Sequence, residues 1–212
     1  SVASRGLGDV YKRQVITCVA SDPTDANIIY VGTGERRGQG LRGQGVWKTS
    51  DGGANWSQLS SSIDFNYIDT IIVRNENGIG AVYAGGGRAF SNGAYSGVNG
   101  LQKSTDGGST WTEVLGEISA GSNHHVTDLE LDSNNRLIVG TRTNTFNEGG
   151  GQVFYSDDGS TFTQFNLGAL GSFDRTFVDV SPSDPNILYV MMENGSTGCL
   201  LYTSPSPRDA TL

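Results

Sequence analysis

The chain has 212 residues, with 31 Gly, 5 Pro and a formal net charge of -8. That length suits one domain of ordinary size, and glycine at about twice its usual frequency points to many tight turns, as in all-β chains. No apolar run approaches the ~20 residues of a membrane-spanning helix, which excludes membrane insertion. The acidic balance excludes nucleic acid, whose phosphates it would repel.

Residues 1–14 and 199–212 follow neither the period of a strand nor that of a helix. Ser4–Gln14 and Cys199–Asp209 can be written in codons that are reverse complements of one another. Both ends resemble translated adapters from shotgun sequencing and are set aside as non-native tails. The informative segment is 15–198. Cys18, in the apolar run VITCVA, is then its single native cysteine, and its setting is that of a small buried hydrophobe.

Within 15–198 a unit of roughly 50 residues recurs, the length of one four-stranded propeller blade. VITCVAS, YIDTIIV, HVTDLEL and RTFVDVS supply a first strand in each unit. NIIYVGTG, AVYAGGG, RLIVGTR and NILYVMM supply a second, which makes Tyr30, Tyr83, Ile138 and Tyr189 equivalent. GVWKTSDGGANW, GLQKSTDGGSTW and GQVFYSDDGSTF supply a third strand, a polar turn and the start of a fourth. These runs are short, rich in Val, Ile, Tyr and Thr, and bounded by Gly, Asn, Asp and Ser, as strands are. No stretch carries a helical period with caps.

The turn between the third and fourth strands has a physical rationale. Its glycine takes φ > 0 without steric cost, its aspartate accepts backbone N–H groups that no strand pairs, and its aromatic covers the corner. In the three copies these are Asp51, Gly53 and Trp56, then Asp106, Gly108 and Trp111, then Asp157, Gly159 and Phe162. The spacing S/T-x-D-x-G-x-S/T-W/F resembles the Asp-box, or BNR repeat, of sialidase-like, sortilin-like and family-74 xyloglucanase-like β-propellers. That resemblance implies an all-β fold, a partial β-propeller of four-stranded antiparallel blades. About three and a half blades are expected, with the ring not closed. Boxes of this kind are structural in the group. A calcium reading is disfavoured, because the EF-hand spacing and its distal Glu are missing. No cofactor and no metal site are expected.

Strand alternation puts the long loops between second and third strands on the rim opposite the boxes, where surplus loop length commonly carries function. They hold Glu35, Arg36, Arg37, Arg42, Arg88, Tyr95, Arg142 and Glu148, and the connections between blades add His124 and Arg175. Arginine forks and aromatic platforms suit sugar rings, carboxylates or a protein or peptide partner. No catalytic residue is assigned: the FRIP-type segment of sialidases does not occur, and the paired aspartates of family-74 enzymes have no match here. The expected function is a non-catalytic recognition or scaffold module of a larger bacterial protein, secreted to the periplasm or outside the cell. A glycoside hydrolase fragment acting on polysaccharide is the alternative. The remaining blades of the parent chain are its first partner, since an unclosed ring leaves exposed ends that invite association.

Overall fold

The structure is a computed structural model that describes residues 15–34, 42–91, 94–98, 100–166, 173–194 and 198–205. The chain divides into two compact units, residues 1–113 and 114–212.

The first unit holds two four-stranded antiparallel sheets. In the first, β1 (Ile16–Asp22), β2 (Asp25–Thr33), β3 (Val46–Thr49) and β4 (Ser57–Gln58) pair in sequence order. The second begins with β5 (Tyr67–Glu76) and β6 (Ile79–Gly87), joined through Asn77 (φ 55°) and Gly78 (φ 87°), the left-handed pair that a two-residue hairpin favours. A small hairpin, β7 (Ala89–Ser91) and β8 (Ala94–Ser96), leads to β9 (Gly100–Ser104) and β10 (Thr112–Glu113), and the sheet runs β5-β6-β9-β10. Tyr30, Val46, Ile68, Ile71, Val73 and Val82 form the core between the two sheets. Cys18 and Ala20 pack against it, and burial pushes the Cys18 thiol up to about 12, so it stays protonated and inert.

The second unit opens with a short hairpin, β11 (Glu117–Ser119) and β12 (Ser122–Asn123). A third blade follows, with β13 (His125–Leu131), β14 (Leu137–Arg142), β15 (Val153–Ser156) and β16 (Thr163–Gln164) paired in order. Then come β17 (Arg175–Val180), β18 (Ile187–Asn194) and β19 (Gly198–Pro205). Ile138, Val153, Phe165, Val178, Leu188, Val190 and Met192 make the core of this unit. The described residues contain no α-helix; their one helical turn is 3₁₀, at Ser60–Ser62.

The first strands of the three blades, β1, β5 and β13, each carry a bulge, at Thr17, Asp69 and Thr127. A bulge re-aims a side chain. Here the Thr17 hydroxyl donates to the Ile68 carbonyl, and the Thr127 hydroxyl donates to the Thr176 carbonyl at 3.1 Å. Each ties one blade to the next by a bond worth about 1 kcal/mol.

The fold is the expected all-β array of antiparallel blades. It differs from expectation at one end: residues 199–205, set aside as part of a non-native tail, pair with β18 from Glu193↔Cys199 to Ile187↔Pro205. The physical reason is that an unpaired sheet edge offers main-chain groups to whatever extended segment follows, with little regard to side chains.

Candidate functional site

The turns after β3, β9 and β15 share one network. Thr49 Oγ1 donates to Asp51 Oδ1 at 2.7 Å and accepts from Gly53 N at 3.0 Å, while Asn55 N donates to Asp51 Oδ1 at 2.9 Å. Ser104 and Asp106 repeat this with Gly108 N and Thr110 N. In the third turn the carboxylate belongs to Asp158, not Asp157. Ser156 Oγ donates to Asp158 at 3.1 Å and accepts from Gly159 N at 2.8 Å, and Ser160 N and Thr161 N donate to Asp158. This turn has one residue fewer between serine and glycine. Aligning on the glycine therefore selects the wrong member of the Asp157–Asp158 pair. Asp157 instead accepts from Arg136 Nε at 2.7 Å on the surface.

The carboxylates are spent on the backbone. The Asn55 N–H leads the groups that lower Asp51 to about 2, and the Thr110 hydroxyl and N–H hold Asp106 lower still. Thr161 and Ser160 do the same for Asp158. The aromatic positions diverge. Trp56 donates Nε1 to its own turn at Gly53 O, 3.1 Å away, whereas Trp111 meets the Phe65 ring edge-on at 5.3 Å and donates to Ser61. Phe162 is half-buried; Phe165 takes the packing role, 4.9 Å from Tyr155.

Of the rim residues, Glu35, Arg36 and Arg37 lie outside the described residues, as does the side chain of Tyr95, whose backbone is in β8. Arg42 is exposed and Arg88 half-buried. In the second unit the structure brings four others into one region. Arg142 pairs with Arg175 across β14 and β17, and the Arg175 guanidinium stacks 4.2 Å from the Phe177 ring. Glu148 is locked: Ser122 donates to it at 2.6 Å and Ser119 at 3.0 Å. Asn144 binds the same hairpin by donating its side-chain amide N–H groups to Ser122 Oγ and Asn123 O, and its side-chain Oδ1 accepts from Phe146 N and Glu148 N. His124 is buried edge-on against Phe154 at 4.9 Å, and burial lowers it to about 4, so it is neutral. The loop after β14 is thus a pinned structure rather than a free reach of acid and base.

Glu130 is a titratable group that residue type alone does not single out. It stands on β13 two residues from Asp128, and burial, then the charges of Asp128 and Asp179, push it up to about 7. Asp128 is also raised by burial, while it accepts from Val178 N at 2.9 Å. Glu130, Asp132, Asp179 and Tyr189 line a groove of about 680 Å³ with Ser133 and Ser181. In its protonated form a carboxyl there can donate a hydrogen bond to a hydroxyl or ether oxygen. The clue in the sequence was two acids on one face of an inner strand, in HVTDLEL. Among the described residues no group of three or more His, Cys, Asp or Glu could hold a metal ion.

No family model matches the chain. Over 134 residues it is 31% identical to a xyloglucanase of a Paenibacillus species, covering 56% of this chain and 12% of that relative. The chain therefore spans about an eighth of the length of the curated relative it matches. Among solved structures it resembles a GH74 enzyme of Niastella koreensis, with TM-score 0.59, 22% identity, and 91% of this chain and 37% of that one covered. An ancestral GH74 enzyme gives TM-score 0.60 at 20% identity, covering 90% and 25%. A protein of unknown function from Dyadobacter fermentans gives TM-score 0.53 at 14% identity, covering 91% and 66%. At these identities the solved structures establish a shared propeller fold.

Proposed function

We propose that the chain is a carbohydrate-engaging propeller segment of a secreted glycoside-hydrolase-like protein, with xyloglucan as the polysaccharide class. The 31% identity to a xyloglucanase carries this reading. The segment contributes surface and scaffold: its turn carboxylates hold backbone, and Glu148 is occupied by Ser119 and Ser122. The turns after β3, β9 and β15 act as Asp-boxes, and Arg142, Arg175 and Phe177 offer the planar groups on which a sugar chain can rest. Affinity electrophoresis of the purified chain through gels containing xyloglucan tests this. Retarded migration relative to a gel with dextran supports it, and equal migration in both overturns it.

A second reading, that this stretch lends an acid group to a hydrolytic site, is favoured by Glu130 and its groove. Loss of xyloglucan depolymerisation by the parent protein on Glu130→Gln, with binding retained, distinguishes the two.

A further inference from the structure

The loop between β14 and β15 is fixed more firmly than joining two strands requires. Asn144 Oδ1 accepts from Phe146 N at 2.8 Å and from Glu148 N at 3.0 Å, and Asn144 N donates to Glu148 O at 2.9 Å, which closes the turn on itself. Glu148 and the Asn144 amide then tie it to the β11–β12 hairpin through Ser119, Ser122 and Asn123. Gly149, at φ 65°, lies so close to that hairpin that a Cβ there would overlap the Ile118 side chain and stand 3.0 Å from His124 Nδ1. The freedom such a loop would lose on binding a ligand is therefore already lost in folding.

The apex of this loop is Phe146 and Asn147, both exposed, with 45% of Phe146 open to solvent. Asn147 is held in the left-handed region, at φ 65°, and its N–H donates to Asn144 O at 3.2 Å. A loose loop could turn a phenyl ring away from water, whereas this one is fixed with the ring partly outward. The turn takes from Phe146 its N–H, which any residue except proline supplies, so the turn alone does not account for the ring. Nor is this the exposure of a terminal sheet. The loop belongs to the third blade, which packs on Val178 and Leu188 of the blade that follows. A ring beside a carboxamide suits a pyranose with equatorial hydroxyls, whose axial C–H groups form an apolar face and whose rim carries donors and acceptors.

We propose, resting on the carbohydrate reading above, that Phe146 is the platform on which one glucosyl ring of a β-linked glucan backbone stacks, with the Asn147 carboxamide bonding to its hydroxyls.

Affinity electrophoresis of the whole chain through gels of graded xyloglucan content, with dextran as control, tests it. The variants are Phe146→Ala, Phe146→Tyr and Asn147→Gly, the last keeping the left-handed backbone while removing the carboxamide. Thermal unfolding confirms that each remains folded, as expected for exposed positions. The wild type is retarded by xyloglucan and not by dextran. Phe146→Ala raises the dissociation constant about 3- to 10-fold, the effect of no longer covering the exposed part of the ring. Asn147→Gly raises it about 2- to 10-fold, the loss of one hydrogen bond. Phe146→Tyr binds as the wild type does, because stacking tolerates a para hydroxyl. Unchanged affinity in Phe146→Ala or in Asn147→Gly overturns the proposal and leaves the carbohydrate reading standing. A loss in Phe146→Tyr as large as in Phe146→Ala does the same. A wild-type chain that xyloglucan does not retard overturns both.

Discussion

Acidification destabilises the second unit through His124. Its imidazole lies buried against the Phe154 ring at 4.9 Å, with no hydrogen-bond partner at Nδ1. Charging it there strips water from a cation and offers nothing in return, which lowers it to about 4 against an ordinary value of 6.5. The unfolded chain therefore binds the proton more readily than the folded one between those two values. Stability contributed by neutral His124 is whole above pH 6.5 and falls as pH drops toward 4. The difference amounts to about 3 kcal/mol at most. Glu130 works in the opposite sense over an overlapping range, so the wild-type curve alone is not diagnostic. Urea unfolding of the chain and of His124→Leu at steps from pH 4 to pH 8 isolates the effect. Leucine keeps the apolar contacts with Phe154 and removes the titration. The variant gains on the wild type as pH falls from 6.5 to 4, and the gap stays constant above pH 7. A gap that does not change with pH would refute the reasoning, as would an NMR titration of His124 with a midpoint near 6.5.

Glu130→Gln removes a carboxyl whose folded value, about 7, lies above the ordinary 4.5. The native carboxyl loses stability as pH rises from 4.5 through 7, so the variant gains on the wild type over that interval. Because the group is half in solvent the gain is about 1–2 kcal/mol, read from urea midpoints at pH 4.5 and pH 8. In the third turn, Ser156→Ala removes a buried hydroxyl that both accepts from Gly159 N and donates to Asp158, and costs about 1–3 kcal/mol in thermal or urea unfolding. Asp157→Asn removes the charge from the surface pair with Arg136 and costs under about 1 kcal/mol. Equal losses from the two would return the turn to Asp157.

The blade pattern was legible because equivalent strands recur at nearly constant spacing, and Tyr30, Tyr83, Ile138 and Tyr189 do hold one register position opposite the inner strand. The third turn was misread because a one-residue deletion beside a doubled aspartate leaves the glycine aligned and the carboxylate ambiguous. Chemical type singles out the rim residues in the sequence, but type does not reveal partners. Glu148 and His124 are fixed by Ser119, Ser122 and Phe154, which come from other segments of the chain. Glu130 was overlooked because its character comes from burial and from the proximity of Asp179, 49 positions away in sequence. The pairing of 198–205 escaped notice because main-chain edge pairing leaves no side-chain signature.

Cross-strand nuclear Overhauser effects in the isotopically labelled chain test the repeated antiparallel blade most directly. The account predicts contacts linking Tyr30 with Lys48, Tyr83 with Lys103, Ile138 with Tyr155 and Tyr189 with Asp179. Registers displaced by one residue, or sequential contacts of helical type through these segments, would contradict it.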